Sequence, residues 1–427
     1  MDYYQSRIGK HMINQSEASK ANVLADIPLD KTTIPQHQLN IEDKVRSNLF
    51  PWSGQFSPQL VHRILSIYAR DGNLVVDPFM GSGTVLAEAG MLGLPGFGAE
   101  INPAAFQMSQ VYRLINIGIR EREKVLSHVD QVLSQTFSHS PLFRHGLDND
   151  NVAELKQALV QLWVDQEESL SKVLLATLVV LLDFYRPGLT RERILYTWKR
   201  LQKRIDTLPI SNAPIKMANC DARKLLLPNA VADVVITSPP YINVFNYHQR
   251  YRASVEALGW DLLCVARSEM GANRKHRANR FLTVIQYCLD IAEALVELRR
   301  ICKSSGRIVL IVGRESNVLR TRFFNSEIVT RLALESAGLK ALSRQERVFK
   351  NKFGAMIYED IIHLQAFAIA TATEINARLI ASEMLHAALL YAPDESQDDL
   401  EEAINRVNDV KASPLYKPDR TTLKEAR

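Results

Sequence analysis

Val75-Val76-Asp77-Pro78-Phe79-Met80-Gly81-Ser82-Gly83-Thr84 is the stretch of this chain whose reading decides its fold. An apolar run beginning at Leu74 ends on an acid and a proline, breaks into a glycine-rich turn, and restarts as a helix-like segment over residues 84–92. A strand that passes through a tight glycine turn into a helix lets backbone N–H groups approach a ligand with no side chain in the way. Two nucleotide motifs are excluded. No Gly-Lys-Ser/Thr follows, so this is not a phosphate-binding P-loop. A dinucleotide fingerprint needs a third glycine at position 86, which is Leu86 here. Asp77 at the strand tip adds a carboxylate, which suits a ligand bearing a positive group.

Working outward, Gly96-Phe97-Gly98-Ala99 reads as a second strand with Glu100 at its tip, and Pro103 opens a helix. The strand pattern then stops for roughly 110 residues, too long for a structureless loop inside a domain, and its helical periodicity predicts an inserted helical unit. Ile215-Lys216-Met217 begins a third strand ending near Asp221, and residues 231–236 form a fourth, ending at Thr237-Ser238-Pro239-Pro240-Tyr241. A long helix follows, with Phe281, Ile285, Leu289, Ala292 and Leu295 on one face. Ser304-Ser305-Gly306 reads as its stop, residues 307–312 as a fifth strand, and residues 357–367 as the last one. Two tail helices are expected at about 374–391 and 398–410. Strands alternating with helices predict an α/β fold with a mainly parallel, doubly wound sheet, a helical insertion and a helical C-terminal tail. The expected divisions are a polar N-terminal arm (1–45), a first part of the sheet domain (46–110), the helical insertion (111–212), a second part (213–370) and the tail (371–427).

Composition is that of an ordinary globular protein: 427 residues, 46 % hydrophobic and 23 % charged. No N-terminal stretch has the basic start and apolar core of a signal peptide. The longest apolar run, residues 173–182, is about half the length a membrane-spanning helix needs, so a buried core helix and a cytoplasmic location are expected. Cys220, Cys264, Cys288 and Cys302 are scattered, with no paired metal-ligand spacing, so neither a disulfide framework nor a metal site is expected. The net charge of +5 permits a polyanionic partner without requiring one. Two basic segments are candidates for phosphate contact: Arg191, Arg193, Lys199, Arg200, Lys203 and Arg204 on one helix, and Arg274-Lys275-His276-Arg277 after the fourth strand. A solvated helix face explains the first equally well.

The loop Ser238-Pro239-Pro240-Tyr241 is the second chemical motif. Two consecutive prolines remove two N–H donors and leave a stiff loop displaying carbonyl acceptors. Together with the glycine turn, it resembles the amino-group DNA methyltransferases, the family that methylates cytosine N4 or adenine N6. Their cofactor motif looks like Asp77-Pro78-Phe79-Met80-Gly81-Ser82-Gly83-Thr84, and their catalytic motif, Asp/Asn/Ser-Pro-Pro-Tyr/Phe/Trp, matches Ser238-Pro239-Pro240-Tyr241. Phe50-Pro51-Trp52-Ser53-Gly54-Gln55-Phe56-Ser57-Pro58 is similar to the segment that covers the methionine end of the cofactor in this family. The likeness spans roughly residues 48–368 without the insertion.

What this resemblance implies is a Rossmann-like, S-adenosylmethionine-dependent fold whose sheet has seven strands, one antiparallel. Gly81 and Gly83 would give backbone approach to S-adenosylmethionine, with Pro78, Phe79 and Thr84 completing the turn. Asp77 would lie near the methionine ammonium, Glu100 would accept both ribose hydroxyls, and Asp221 would accept the adenine amino group. Phe56 and Ser57 would flank the methionine portion. An aromatic amine is a weak nucleophile because its lone pair is delocalised into the ring. Hydrogen bonds to the Pro239 carbonyl and the Ser238 side chain would favour a pyramidal nitrogen with a directed lone pair. The base must leave the duplex to be reached, and Tyr241 would stack on it, a contact worth about 1–3 kcal/mol. Cytosine-C5 enzymes need a cysteine after proline, and no Pro-Cys exists here. The serine at 238 favours cytosine N4 over adenine N6, since adenine enzymes of the family usually carry an acid there. DNA is the expected partner, the insertion is a candidate recognition region, and a cognate restriction endonuclease is a candidate second partner. An adenine-N6 enzyme, an RNA base methyltransferase and a non-catalytic DNA-binding subunit are the alternatives. The insertion between Glu100 and Asp221 departs from the commoner arrangements in the family.

Overall fold

The computed structural model describes residues 23–138, 151–242, 247–272, 276, 278–351 and 354–417. In chain order the strands are β1 (Val75–Asp77), β2 (Gly96–Ala99), β3 (Ile215–Ala218), β4 (Ala232–Thr237), β5 (Cys302–Gly313), the short pair β6 (Ser316–Val318) and β7 (Thr321–Phe323), β8 (Leu339–Lys350) and β9 (Met356–Ala366). Seven of them form one sheet in the order β3-β2-β1-β4-β5-β9-β8, while β6 and β7 pair separately. The β1–β2, β2–β3 and β4–β5 pairings are parallel, and β9 runs antiparallel to both β5 and β8. The fold is thus the doubly wound, mainly parallel α/β sheet that the sequence predicts, with one antiparallel strand.

Cα packing divides the chain into two compact units. One comprises Lys44–Leu226, Tyr247–Arg267 and Tyr416–Arg427, and carries β1, β2 and β3. Every residue of β1 and β2 is buried, as expected for parallel strands covered on both faces. A Cβ on Gly96 would stand 3.1 Å from a Leu86 methyl and 3.2 Å from an Ile215 methyl, so glycine there lets the helix Thr84–Met91 lie tight on the sheet. Helices Ile119–Phe137, Val152–Val164, Ser169–Leu182 and Arg191–Ile205 follow between β2 and β3. Three of the four starts carry side-chain caps: the Asn151 side chain accepts from Ala153 N, Glu168 from Leu170 N, and Thr190 from Arg193 N. Residues 173–180 are buried throughout, so the longest apolar run is the core of this helical insertion. Gln107 donates to Val173 O at 3.1 Å, and Thr177 Oγ1 donates to Gln107 O at 3.2 Å. These bonds tie the insertion to the helix Pro103–Ser109 that leaves β2.

The other unit comprises Met1–Asp43, Leu227–Asn246 and Ser268–Leu415, and carries β4, β5, β8 and β9. Here the sequence reading needs two corrections. Ser304-Ser305-Gly306 is not the stop of a helix: Leu282–Ile301 ends directly into β5, which begins at Cys302. The β4–β5 register shifts between Ala232 and Val234, and a Cβ on Gly306 would meet Cys302 Sγ at 2.7 Å and two β4 carbonyls at 3.0 Å. A bulge, rather than a turn, is what this glycine serves. Periodicity also missed β8, because two of its three buried residues are polar: Leu339, Gln345 and Arg347. Gln345 meets Asp30 Oδ2 at 3.2 Å and His363 Nε2 at 3.1 Å; Arg347 meets Leu39 O at 2.8 Å and Glu359 Oε2 at 2.7 Å.

Residues 28–30 close the free edge of β8, with Asp30 N donating to Arg344 O at 2.8 Å and Arg344 N to Pro28 O at 2.9 Å. Covered edges of this kind prevent strand-to-strand association between molecules. Ile27, Ile34 and Leu39 are buried, so the described part of the supposed polar arm is packed structure. The tail helices are Thr373–Ala388 and Asp394–Asn405. Among the described residues no helix is long and apolar enough to cross a membrane.

Candidate functional site

In the β1–β3 unit, the glycine turn at the end of β1 is held from three sides. Asp77 is buried, and its Oδ1 accepts from Phe79 N at 3.1 Å, which closes the first bend around Pro78. Glu100, at the tip of β2, accepts Gly81 N on one oxygen (2.9 Å) and Asn102 N on the other (2.7 Å). One carboxylate therefore joins the turn to the start of the next helix. Gly81 and Gly83 have φ of 52° and 91°, a region that side chains rarely adopt. The space at both is already taken. A Cβ on Gly83 would stand 2.6 Å from Tyr112 Cε2, and one on Gly81 would stand 3.1 Å from Trp52 Cδ1. Tyr112 packs against Gly83 so closely that only glycine fits there.

The segment 50–58 lies across this turn. Asn48 donates to Phe56 O at 2.9 Å and accepts from Thr84 Oγ1 at 3.5 Å, linking Phe56 to the helix that leaves the turn. Ser57 is the residue before the helix Pro58–Tyr68, yet its hydroxyl makes no capping bond there. Ser57 Oγ is buried with no hydrogen-bond partner among the described residues. A buried hydroxyl left without a partner at a helix N-terminus is chemically suited to meet the carboxylate of an amino-acid ligand. Trp52 stacks with Tyr247 (centroids 5.8 Å apart) and Tyr251 (6.3 Å). Tyr251 holds a left-handed backbone (φ 55°) and donates its hydroxyl to Pro51 O at 3.0 Å. This aromatic stack escaped the sequence reading, since nothing local joins position 52 to positions 247 and 251.

Asp221 stands at the end of β3, as expected, but not as an open acceptor. Its Oδ1 takes Arg223 N and Arg223 Nε, both at 3.0 Å, and its Oδ2 takes Arg223 Nη2 at 2.8 Å and Tyr416 N at 2.9 Å. A carboxylate has about four lone-pair positions, so the chain's own donors fill them all. Tyr416 also donates its hydroxyl to Asn219 Oδ1 at 2.7 Å, while Asn219 Nδ2 donates to Glu100 O at 2.7 Å. The C-terminal segment thereby closes over the tips of β2 and β3.

In the other unit, β4 delivers the Ser238-Pro239-Pro240-Tyr241 loop. Ser238 Oγ and Tyr241 Oη are 3.2 Å apart. Two glycines locate the tyrosine: a Cβ on Gly271 would stand 2.9 Å from the Tyr241 carbonyl oxygen, and one on Gly313 would stand 3.0 Å from ring atom Cε2. Burial and the negative charge of Glu359 push the Tyr241 phenol well above its ordinary range, so it stays protonated. Tyr287 lies beside it, its hydroxyl buried without a hydrogen-bond partner among the described residues.

Of the basic candidates, Arg274, Lys275 and Arg277 lie outside the described residues. On Arg191–Ile205, Arg191 is buried, and Arg193 spends its guanidinium on Leu182 O (2.7 Å) and Pro187 O (2.9 Å). Lys199, Arg200 and Lys203 are exposed, with Lys199 reaching Asp130 at 2.6 Å. All four cysteines are free thiols, and no cluster among the described residues could hold a metal ion.

Comparison with known proteins adds the following. Residues 10–111 match the family model N6_N4_Mtase, described as DNA methylase. A 78-residue stretch is 35 % identical to the Type II methyltransferase M.MjaII of Methanocaldococcus jannaschii, a match covering 18 % of this chain and only 14 % of that protein. Among solved structures, a SAM-dependent methyltransferase from Methanosarcina mazei aligns over 71 % of this chain and 97 % of its own (10 % identity, TM-score 0.34). The rRNA methyltransferase aviRa from Streptomyces viridochromogenes aligns over 86 % of this chain and 96 % of its own (14 % identity, TM-score 0.29).

Proposed function

We propose that this protein transfers a methyl group from S-adenosylmethionine to the exocyclic amino group of a base in DNA, with cytosine N4 as the target atom. The observation that carries the reading is the Ser238–Tyr241 loop, stiffened by two prolines and held by two glycines, in a chain whose residues 10–111 match a DNA methylase family. When bound, S-adenosylmethionine supplies an electrophilic methyl on a sulfonium sulfur. Asp77 and Ser57 would hold its amino-acid end, Glu100 its ribose hydroxyls, and Pro78, Phe79, Gly81, Gly83 and Thr84 of the turn would flank it together with Phe56. Adenine recognition by Asp221 requires that a donor now on that carboxylate give way. The Pro239 carbonyl and Ser238 Oγ accept the two amine hydrogens and draw the nitrogen lone pair out of conjugation. Tyr241 stacks on the extruded base. The amine so held would take the methyl as its bond to sulfur breaks, and one amine proton would leave to solvent.

Supporting the cytosine assignment is the neutral Ser238 acceptor; a carboxylate there is the stronger acceptor and marks adenine enzymes. Incubating the purified protein with S-adenosylmethionine and DNA, followed by nucleoside mass spectrometry, tests both levels. N4-methylcytosine is the expected product. N6-methyladenine alone would correct the base while keeping the family, and methylated RNA or no product would overturn the function. The recognition sequence and a restriction partner fall to the same reading, tested by sequencing modified host DNA with and without the gene.

A further inference from the structure

We infer that the hydroxyl of Tyr241 is a positioning group for Ser238: it fixes the serine rotor so that one lone pair of Ser238 Oγ points at the target amine, a task separate from stacking on the base. The inference rests on the proposed amine-methylating role of this loop and assigns to the phenol a task that a ring alone cannot perform.

A serine hydroxyl has one proton and two lone pairs, and its rotation is free unless a partner holds it. Unheld, it presents its proton to the amine as readily as a lone pair, and a donor facing an N–H is useless. In the structure Ser238 Oγ lies 3.2 Å from Tyr241 Oη. With Ser238 Oγ donating to the phenol oxygen, that bond fixes the serine proton and leaves both of its lone pairs for the amine. Burial and Glu359 keep the phenol protonated, so the bond joins two neutral hydroxyls and persists across neutral and moderately alkaline pH.

The surroundings place the hydroxyl rather than merely the ring. Gly313 ends β5, and its φ is not in the left-handed region, so glycine is needed there for space alone. A Cβ on it would stand 3.0 Å from Tyr241 Cε2, 3.4 Å from Cζ and 3.6 Å from Cδ2. The closest contacts thus include the carbon that bears the hydroxyl. On the other side Gly271 leaves room for the Tyr241 carbonyl, where a Cβ would come within 2.9 Å. Both ends of the residue are therefore located, and the 3.2 Å reach to Ser238 follows from that placement.

The test is steady-state methylation of DNA by the full chain carrying Tyr241→Phe, which keeps the ring and removes the hydroxyl. A neutral hydrogen bond is worth about 0.5–1.5 kcal/mol, so kcat should fall roughly two- to twelvefold. The KM for DNA and the cofactor affinity should stay as in the wild type. In a Ser238→Ala background Tyr241→Phe should add nothing, because the group it positions is gone. Gly313→Ala should lower kcat in the wild type and much less in Tyr241→Phe. A Tyr241→Phe enzyme with wild-type kcat overturns the inference, and so does a loss that multiplies undiminished with Ser238→Ala. In both cases the methyltransferase reading survives; a wild type that transfers no methyl to DNA overturns both.

Discussion

At the scale of single residues, two glycines at opposite ends of the helix Thr84–Met91 show how a motif can be legible while its reason is not. Gly83 and Gly93 both have positive φ, 91° and 70°, yet a Cβ would strike Tyr112 at 2.6 Å in the first case and meet nothing within 4 Å in the second. Gly83→Ala should therefore cost backbone strain plus overpacking, about 2–4 kcal/mol, against about 1 kcal/mol for Gly93→Ala. Urea denaturation of both variants checks this; equal costs would mean that Tyr112 yields freely. The sequence located the turn at 81–83 because the strand–glycine–helix signal is local. It could not show that Tyr112 and Trp52 occupy the adjoining space, since both contacts come from other elements. Ser238 and Tyr241 lay in plain view for the same local reason, whereas the bond between their hydroxyls depends on Gly313, more than seventy residues downstream.

Among elements, strands with apolar, fully buried faces were readable and polar ones were not. Residues of β1, β2 and β4 speak through hydrophobicity, while β8 satisfies Gln345 and Arg347 through Asp30, Leu39, Glu359 and His363. No local pattern announces partners that distant. His363 is pushed down to about 3, chiefly by burial, and so is neutral beside Gln345 at ordinary pH. The Arg191–Ile205 helix poses the opposite case: its charges were readable and their tasks were not. Arg191 and Arg193 serve the packing of the insertion, which leaves Lys199, Arg200 and Lys203 as candidates to meet phosphates. If they do, replacing all three with glutamine should weaken DNA binding alike on every sequence. Each lost contact should also reduce the log–log salt slope by about 0.9. An unchanged slope, measured by fluorescence anisotropy across a salt series, returns the helix face to solvent.

For the whole molecule, the mainly parallel, doubly wound sheet followed from the strand–helix alternation, but the strand order and the course of the C-terminal segment did not. Tyr416 reaches Asp221 across 195 residues of sequence, and its N–H supplies the fourth donor on that carboxylate. This bond has a kinetic consequence. If Asp221 receives the adenine amino group, a donor must first depart, so only molecules with the segment released are competent to bind. Apparent affinity is then reduced by the competent fraction, and the observed association rate should level off at high S-adenosylmethionine instead of rising linearly. Tyr416→Phe removes the bond to Asn219 while keeping the backbone N–H, and by loosening the segment it should raise that plateau several-fold in stopped-flow tryptophan fluorescence. A linear rate in the wild type, unaltered by the substitution, would place the adenine elsewhere. Otherwise the rate at which S-adenosylmethionine loads is set by the segment around Tyr416, distant in sequence from the turn but joined to it through Asn219 and Glu100.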